Sequence, residues 1–393
     1  MKNLFVYSRL TKLIRCSRAE SVRLGNVKAA SSLKAVRTAF AQWALAVGLV
    51  AIPPALQAQM SFAFQHAADL DSRALAGFEQ AAMRWSTVLA DPITISLNVR
   101  FDLLTEDGGG TDPTLLKVSY RDFQQALLAD RTSALDDRAA SGIASVNSIN
   151  LVINRTSDSP ADAGSSVPYL DANNSLNNQT VALSLANARA LGLYAPQGGE
   201  TDASIVLNSR FNWDFDPSDG ISSGAVDFVG AATHEIGHAL GFLSGTQVLD
   251  YAALSGPAAV AEDDLAYVSS LDLFRYSAQS RAYGKGVIDW TADTREKYFS
   301  VDGGDSSLAY FSTGEFFGDG QEASHWKKGL GLGAMDPTIR SGELVLITGT
   351  DIDAFDAIGY DRKSSPVPDS SVTGIAGLTL LLMALVERRR AIG

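Results

Sequence analysis

The stretch "AATHEIGHALGFLSG", which begins at Ala231, holds two of the four histidines of the chain, His234 and His238, with Glu235 beside the first. Positions i and i+4 share one face of a helix, so both imidazoles project the same way. Two imidazoles so placed can grip one Zn2+ ion. Glu235 lies one step round, too far off the axis to be a ligand but within reach of a metal-bound water. Zinc brings the pKa of such a water near neutrality, so Glu235 can take its proton as it attacks a carbonyl and later hand it to a leaving amine. The helix is otherwise apolar. Two imidazoles and a carboxylate buried there without partners would be costly, and a metal satisfies them.

These residues need a scaffold. "AVDFVGAATHEIGHALGF" reads as a helix with apolar residues on both faces, and hence buried. Upstream, "SRALAGFEQAAMRWSTVLA" places Leu75, Phe78, Ala82, Trp85 and Leu89 at helical spacing. "DPITISLNVRFDLL" alternates Ile93, Ile95, Leu97 and Val99 as a strand does. "SYRDFQQALLADRTSALDD" predicts a helix and "INLVIN" a short buried strand. "TVALSLANARALGL" fits either state, and "TDASIVLNSRFNWDFD" predicts a strand that ends in an acidic turn. Strands and helices in this alternation predict an α/β or α+β domain with a mixed twisted sheet, and we take α+β as the class. No internal repeat and no linker before Lys363 divides the region.

"HEIGHALGF" resembles the metzincin metalloproteases, whose pattern runs H-E-x-x-H-x-x-G-x-x-H. Gly241 occupies the glycine position, where the chain turns sharply out of the helix. Ser244 stands where the third histidine belongs. A catalytic zinc usually has three protein ligands, and three residues are candidates for the third: Asp250, Glu262 and His325. His325 lies in "GDGQEASHWKKGLGLGAMDPTI", and Met335 follows ten residues later in "GAMDP", which looks like the methionine turn that metzincins place under the metal. In leishmanolysin-like metzincins an insertion displaces the last histidine downstream. The resemblance therefore implies a metzincin-like zincin fold with His234, His238 and His325 as zinc ligands and Glu235 as general base. Gly241 and Met335 support the site, residues 245–324 form the insertion, and "ITGTDIDAFDAIGYD" supplies the closing helix of a C-terminal subdomain. It also implies that the strand before the zinc helix is the sheet edge that holds a peptide. "DASIVLNSRFNW" is the candidate, with an ordinary internal strand as the equal alternative. The specificity pocket would follow Met335, with Ile339 and Arg340. The resemblance covers the order of elements over residues 70–362, and is specific in the helix motif, the "SHW" to "AMDP" stretch and the closing helix. The fourth histidine, His66 in "FAFQHAADLD", reads as structural.

The 393 residues are 46% hydrophobic, enough for a large core. A formal charge of −12 argues against nucleic acid as a partner, since phosphate needs Lys and Arg patches. The acidity is deeper still. Residues 1–59 carry nine Lys or Arg against Glu20 alone, a net +8, which leaves about −20 for the remainder. That basic stretch, the apolar run "AFAQWALAVGLVA" and a small residue, Ala58, before a cut resemble an export signal over residues 1–58, with a membrane anchor as the alternative. The only cysteine, Cys16, falls inside it, so the mature chain would have no disulfide and no thiolate site.

Residues 364–393 close with "SSPVPDSSVTGIAGLTLLLMALVERRRAIG". The order of motif, short apolar run and Arg388–Arg390 resembles the PEP-CTERM sorting tails, here in a Val-Pro-Asp-Ser variant. That implies a membrane sorting enzyme as partner and delivery to the cell surface or beyond it, with a plain anchor as the alternative. Two carboxylate runs, Asp214, Asp216 and Asp219 in "DFDPSDG" and Asp351, Asp353 and Asp356 in "GTDIDAFD", offer oxygen ligands for Ca2+. The first also reads as a solvated turn and the second as a helix cap. Residues 59–363 are thus expected to form a zinc endopeptidase acting on peptide or protein substrates. The alternative is a surface or matrix protein with a structural zinc.

Overall fold

The structure, a computed structural model, describes residues 59–363 apart from 106–107, 144–146 and 257–259, together with the backbone of Leu4–Phe5 and Tyr7–Ser8. The rest of the expected export segment and the whole C-terminal tail lie outside the described residues. Among the described residues no helix is long and apolar enough to cross a membrane.

The architecture is mixed α+β with several sheets. Four strands of the main sheet come from the body of the chain: β1 (Ser61–Gln65), β2 (Thr94–Asp102), β3 (Gly109–Pro113) and β4 (Ala203–Asn208). In space they run β3-β4-β2-β1. β1, β2 and β4 are parallel, and β3 runs antiparallel to β4 with Thr111 opposite Ile205. Tyr7–Ser8 lies outside β3, parallel to it, with Ser8 opposite Thr111. β2 alternates as its sequence demands, with Ile95, Leu97 and Val99 buried and their neighbours more open. β4 is buried almost throughout, as a strand inside a sheet must be. Of the two equal readings of "DASIVLNSRFNW", the internal strand is the one observed: β4 sits between β3 and β2, and β3 lies outside it.

Helix α1 (Ser72–Val88) and helix α2 (Phe228–Leu240) pack on each other against this sheet. Gly77 is what allows them so close. A Cβ there would lie 2.3 Å from the Phe228 ring, while Phe78 meets that ring edge-on at 5.4 Å. Trp85 is fully buried and its indole Nε1 donates to the Thr233 carbonyl at 2.9 Å, fixing the rotation of α1 beside the metal-motif turn. Burial of each such aromatic is worth about 1.5–3 kcal/mol. The closing helix α3 (Gly349–Ala357) packs Phe355 on Trp85 at 4.7 Å.

Other expectations resolve locally. "SYRDFQQALLADRTSALDD" forms two helices, Tyr120–Asp130 and Ala134–Gly142, because Ser133 starts a fresh capping box with Asp136. The ambiguous "TVALSLANARALGL" is a strand, Thr180–Ser184, followed at once by a helix, Leu185–Ala190. The inserted region is no separate body. Its strands β5 (Arg275–Tyr276), β6 (Lys297–Phe299) and β7 (Ala309–Phe311) make one antiparallel sheet, and Ile288–Asp289 pairs with Leu151–Val152 of the preceding region.

Where α3 meets the Ala134–Gly142 helix, carboxyls gather. Ser133 Oγ donates to Asp356 at 2.8 Å, and the backbone nitrogens of Thr132 and Ser133 donate to one oxygen of Asp136. The other oxygens of Asp136 and Asp356 are buried without a donor. Burial raises both carboxyls. Burial also pushes nearby Asp91 up to about 8 and Asp130 up to about 7. The cation at this junction, Arg362, reaches Asp353 at 2.8 Å and Asp356 only at 3.6 Å. Such groups keep their protons in the folded state after the unfolded chain has lost them. Stability is therefore full below the ordinary carboxylate range near 4 and falls as pH rises towards about 8. Urea unfolding at pH 5 and pH 8 is expected to show lower stability at pH 8. Asp356→Asn, which gives Asp136 a neutral donor, should raise stability at pH 8 by about 1–3 kcal/mol and change little at pH 5. An unchanged difference between the two pH values in Asp356→Asn would mean that this pair holds no proton.

Candidate metal centre

Asp227 begins α2. Its carboxylate accepts from Gly230 N at 2.7 Å and from Val345 N at 3.1 Å, capping the helix and tying it to the segment before α3. Gly241 ends it in a left-handed conformation, φ +120°, which a side chain would resist. All thirteen residues between are buried. His234 and His238 thus share one face, as their spacing requires. His325 arrives from the far end of the inserted region, and the three Nε2 atoms stand 3.0, 3.1 and 3.2 Å apart.

Each opposite ring nitrogen faces a carbonyl oxygen. His234 Nδ1 donates to Ala334 O at 2.7 Å, His238 Nδ1 to Phe242 O at 2.8 Å, and His325 Nδ1 to Glu322 O at 3.2 Å. A carbonyl can only accept, so the proton sits on Nδ1 and every Nε2 turns a lone pair inward. Burial, with mutual repulsion for His238 and His325, holds the rings below the usual imidazole range, with His234 lowered to about 4. Neutral imidazole is the form that binds a metal. Three converging lone pairs with no hydrogen between them call for a cation. Metal–nitrogen bonds of about 2.0–2.1 Å in a tetrahedron put ligand nitrogens about 3.3 Å apart, a few tenths from what the rings adopt. Among the described residues this is the one group of three or more His, Cys, Asp or Glu side chains whose ligand atoms converge in this way.

The third ring is set by a chain of contacts. Ser324 Oγ accepts from Ser244 N at 2.9 Å, so the residue before His325 docks on the position where the metzincin pattern has its own histidine. Ser312 binds the carbonyls of both His325 and Trp326. The buried Arg275 donates to Ser312 O at 2.7 Å. Beneath α2, Met335 is fully buried, and a Cβ on Gly237 would lie 2.3 Å from its sulfur. One carboxylate, Asp351, ties this floor together. It accepts from Trp326 Nε1 at 2.9 Å, Ala334 N at 2.8 Å and Met335 N at 3.3 Å, as well as from its own helix cap. Burial raises its pKa.

The remaining candidates lie elsewhere. Asp250 is buried, but its carboxylate accepts from Phe316 N and Phe317 N, both at 2.9 Å, and burial raises it. Glu262 accepts from Tyr169 Oη and Asn173 Nδ2. Both acids brace loops rather than join the three rings. His66 is exposed, its Nδ1 on the neighbouring Ala67 carbonyl. Asp214 and Asp216 cap their own surface turn, accepting from Ser222 N and Ser218 Oγ. Ile339, Asp336, Glu343 and Leu344 help line a pocket of about 170 Å3 beside the methionine turn, and Arg340 is outside it. Sequence reasoning missed Thr111, a fully buried residue on β3 whose hydroxyl lies 2.5 Å from Glu235 Oε2. "GGGTDP" carries no strand periodicity that would have pointed to it.

Comparison with protein-family models, with curated proteins and with solved structures finds no match for this chain.

Purified protein is expected to bind one Zn2+ per chain, measured by elemental analysis and competition with a chelator. His325→Ala should weaken zinc by at least about 100-fold, more than loss of a supporting partner costs. Asp250→Ala should keep its zinc. The opposite pair of results would move the third ligand to Asp250.

Proposed function

We propose that the chain is a metzincin-type zinc endopeptidase of the leishmanolysin-like arrangement, exported and displayed at the cell surface or released from it. The observation that carries this reading is Glu235. It is fully buried beside the first of three convergent imidazoles, and a purely structural site has no use for an acid there. Three further features support the resemblance: the glycine exit at Gly241, the Met335 sulfur packed under Gly237, and a third histidine that follows a long insertion.

His234, His238 and His325 would hold the ion. Once bound, Zn2+ supplies a Lewis acid that polarises a carbonyl and acidifies a water. The chain's own groups do the rest. The backbone carbonyls of Ala334, Phe242 and Glu322 keep the rings in one tautomer. The Glu235 carboxylate accepts the proton of the attacking water and passes it to the departing amide nitrogen. An extended peptide is the fitting ligand, because backbone edges on both sides of the site already take extended chain. Tyr7–Ser8 lies along Gly110–Thr111, and Leu4–Phe5 along Thr338–Ile339. The peptide-holding edge is therefore β3 in this reading. The basic and apolar N-terminal segment and the tail from 364, with its sorting enzyme, supply export and display.

Zinc-loaded protein is expected to cleave an unfolded protein such as casein. Glu235→Ala should keep the metal and lose about 10²–10⁴-fold in rate. Wild-type protein that binds zinc and cleaves nothing would leave the structural-zinc reading standing. So would a Glu235→Ala variant as active as wild type.

A further inference from the structure

We infer that Thr111 is a positioning residue: its side-chain hydroxyl fixes the Glu235 carboxylate and couples it to the strand on which a peptide would lie. This deepens the endopeptidase reading and rests on it.

Thr111 is the middle residue of β3 and is fully buried. Its backbone pairs on one side with Ile205 of β4, and on the other it faces the extended Ser8. Its side chain turns to α2. Oγ1 stands 2.5 Å from Glu235 Oε2 and 2.9 Å from the Glu235 main-chain oxygen. A hydroxyl has a single hydrogen, and hydrogen bonds to ionised acceptors are the shorter and stronger ones. The 2.5 Å contact is therefore the one that carries the hydrogen when the carboxylate is charged. If Oε2 instead carries a proton, the same hydroxyl can accept it and donate to the main-chain oxygen. Both acceptors belong to one residue, so the hydroxyl grips the Glu235 side chain relative to its own backbone.

The geometry also explains why a threonine stands in a glycine-rich segment. Gly109 brings β3 close to β4: at φ +159°, a Cβ there would lie 2.6 Å from Val206 O. Thr111 then reaches α2 through its hydroxyl. Valine has the same shape without the hydroxyl, and serine keeps the hydroxyl without the methyl.

The test compares wild type, Thr111→Val, Thr111→Ser and a control, Thr114→Val. The control loses a hydroxyl contact of 2.8 Å to Thr201 O just beyond the same strand. Crystal structures of the zinc-loaded proteins should show Glu235 in one conformer in wild type and Thr111→Ser, and turned or disordered in Thr111→Val. With zinc and a peptide substrate, Thr111→Val should lose about 10- to 100-fold in kcat, the scale of a misplaced reacting group. KM, zinc content and melting temperature should stay near wild type, since backbone pairing and ligands are untouched. Thr111→Ser should recover most of the rate, and Thr114→Val should keep all of it. A Glu235 conformer unchanged in Thr111→Val overturns the inference whatever the activity. So does a Thr111→Val enzyme with wild-type kcat, or a Thr111→Ser enzyme as slow as Thr111→Val. If wild type cleaves nothing while Glu235 turns in Thr111→Val, the endopeptidase reading fails and the contact stands.

Discussion

Three imidazole lone pairs aimed at one point, 3.0–3.2 Å apart, are the constraint that the rest of the structure serves. Each ring is turned by a carbonyl that accepts its Nδ1 proton, so none can relieve the crowding by placing a hydrogen between nitrogens. Without a cation this arrangement is desolvated and repulsive. Folding the site and binding a positive ion are then one free-energy event, and affinity depends on how firmly the fold holds the third ring. The helix supplies two rings through its period alone. The third comes from 87 residues past His238, and periodicity does nothing for it.

What brings it there is a set of buried polar clips together with an apolar interface in which Phe242 packs on Phe311 and Trp326. Asp272 opens the inserted region. It accepts from Ser244 Oγ, Gly245 N, Ser269 N and Trp290 Nε1, fastening the chain just after α2. Arg275 and Ser312 hold the return path, and Ser324 closes it on Ser244. The two ends of an eighty-residue excursion therefore meet one residue before His325. A long excursion between His238 and His325 costs little when its ends are pinned together, because closure entropy grows only slowly with loop length.

The motif helix was legible because its signal is local: spacing, apolar flanks, a glycine exit. His325 and Met335 were legible through their order and through the scarcity of histidine. Long-range contacts were less so. Asp351 reads as a helix cap from sequence and does cap α3, but its larger role, joining Trp326 to the methionine turn, depends on residues brought together only by folding. The two equal readings of "DASIVLNSRFNW", edge or internal strand, could not be separated from sequence for a similar reason. "DASIVLN" has the stronger β pattern because it is internal and buried, whereas the strand outside it, "GGTDP", is built of residues that ordinarily signal a turn. Thr111 was hidden with it.

The acidic composition takes on a second meaning here. A net charge of −12 suggests an acidic surface, yet many of the carboxylates are interior. Asp202, Asp227, Asp250, Asp272 and Asp351 are buried, and each accepts from main-chain nitrogens of a separate segment. The single cysteine lies at position 16, so no disulfide can brace residues 59–363. A buried carboxylate with several N–H donors does comparable work for loops: each lone pair satisfies a backbone group that would otherwise be left unpaired. The arrangement ties loop structure to ionisation, since the same burial that makes a clip strong raises the pKa of Asp202, Asp227, Asp250 and Asp351. Where donors are plentiful, as around Asp351, they work against that rise. Where they run out, as between Asp136 and Asp356, a proton must stand in for the missing donor. One composition thus yields both the rigid floor under the three histidines and a seam at the closing helix that weakens as pH rises, and the local supply of N–H groups decides which.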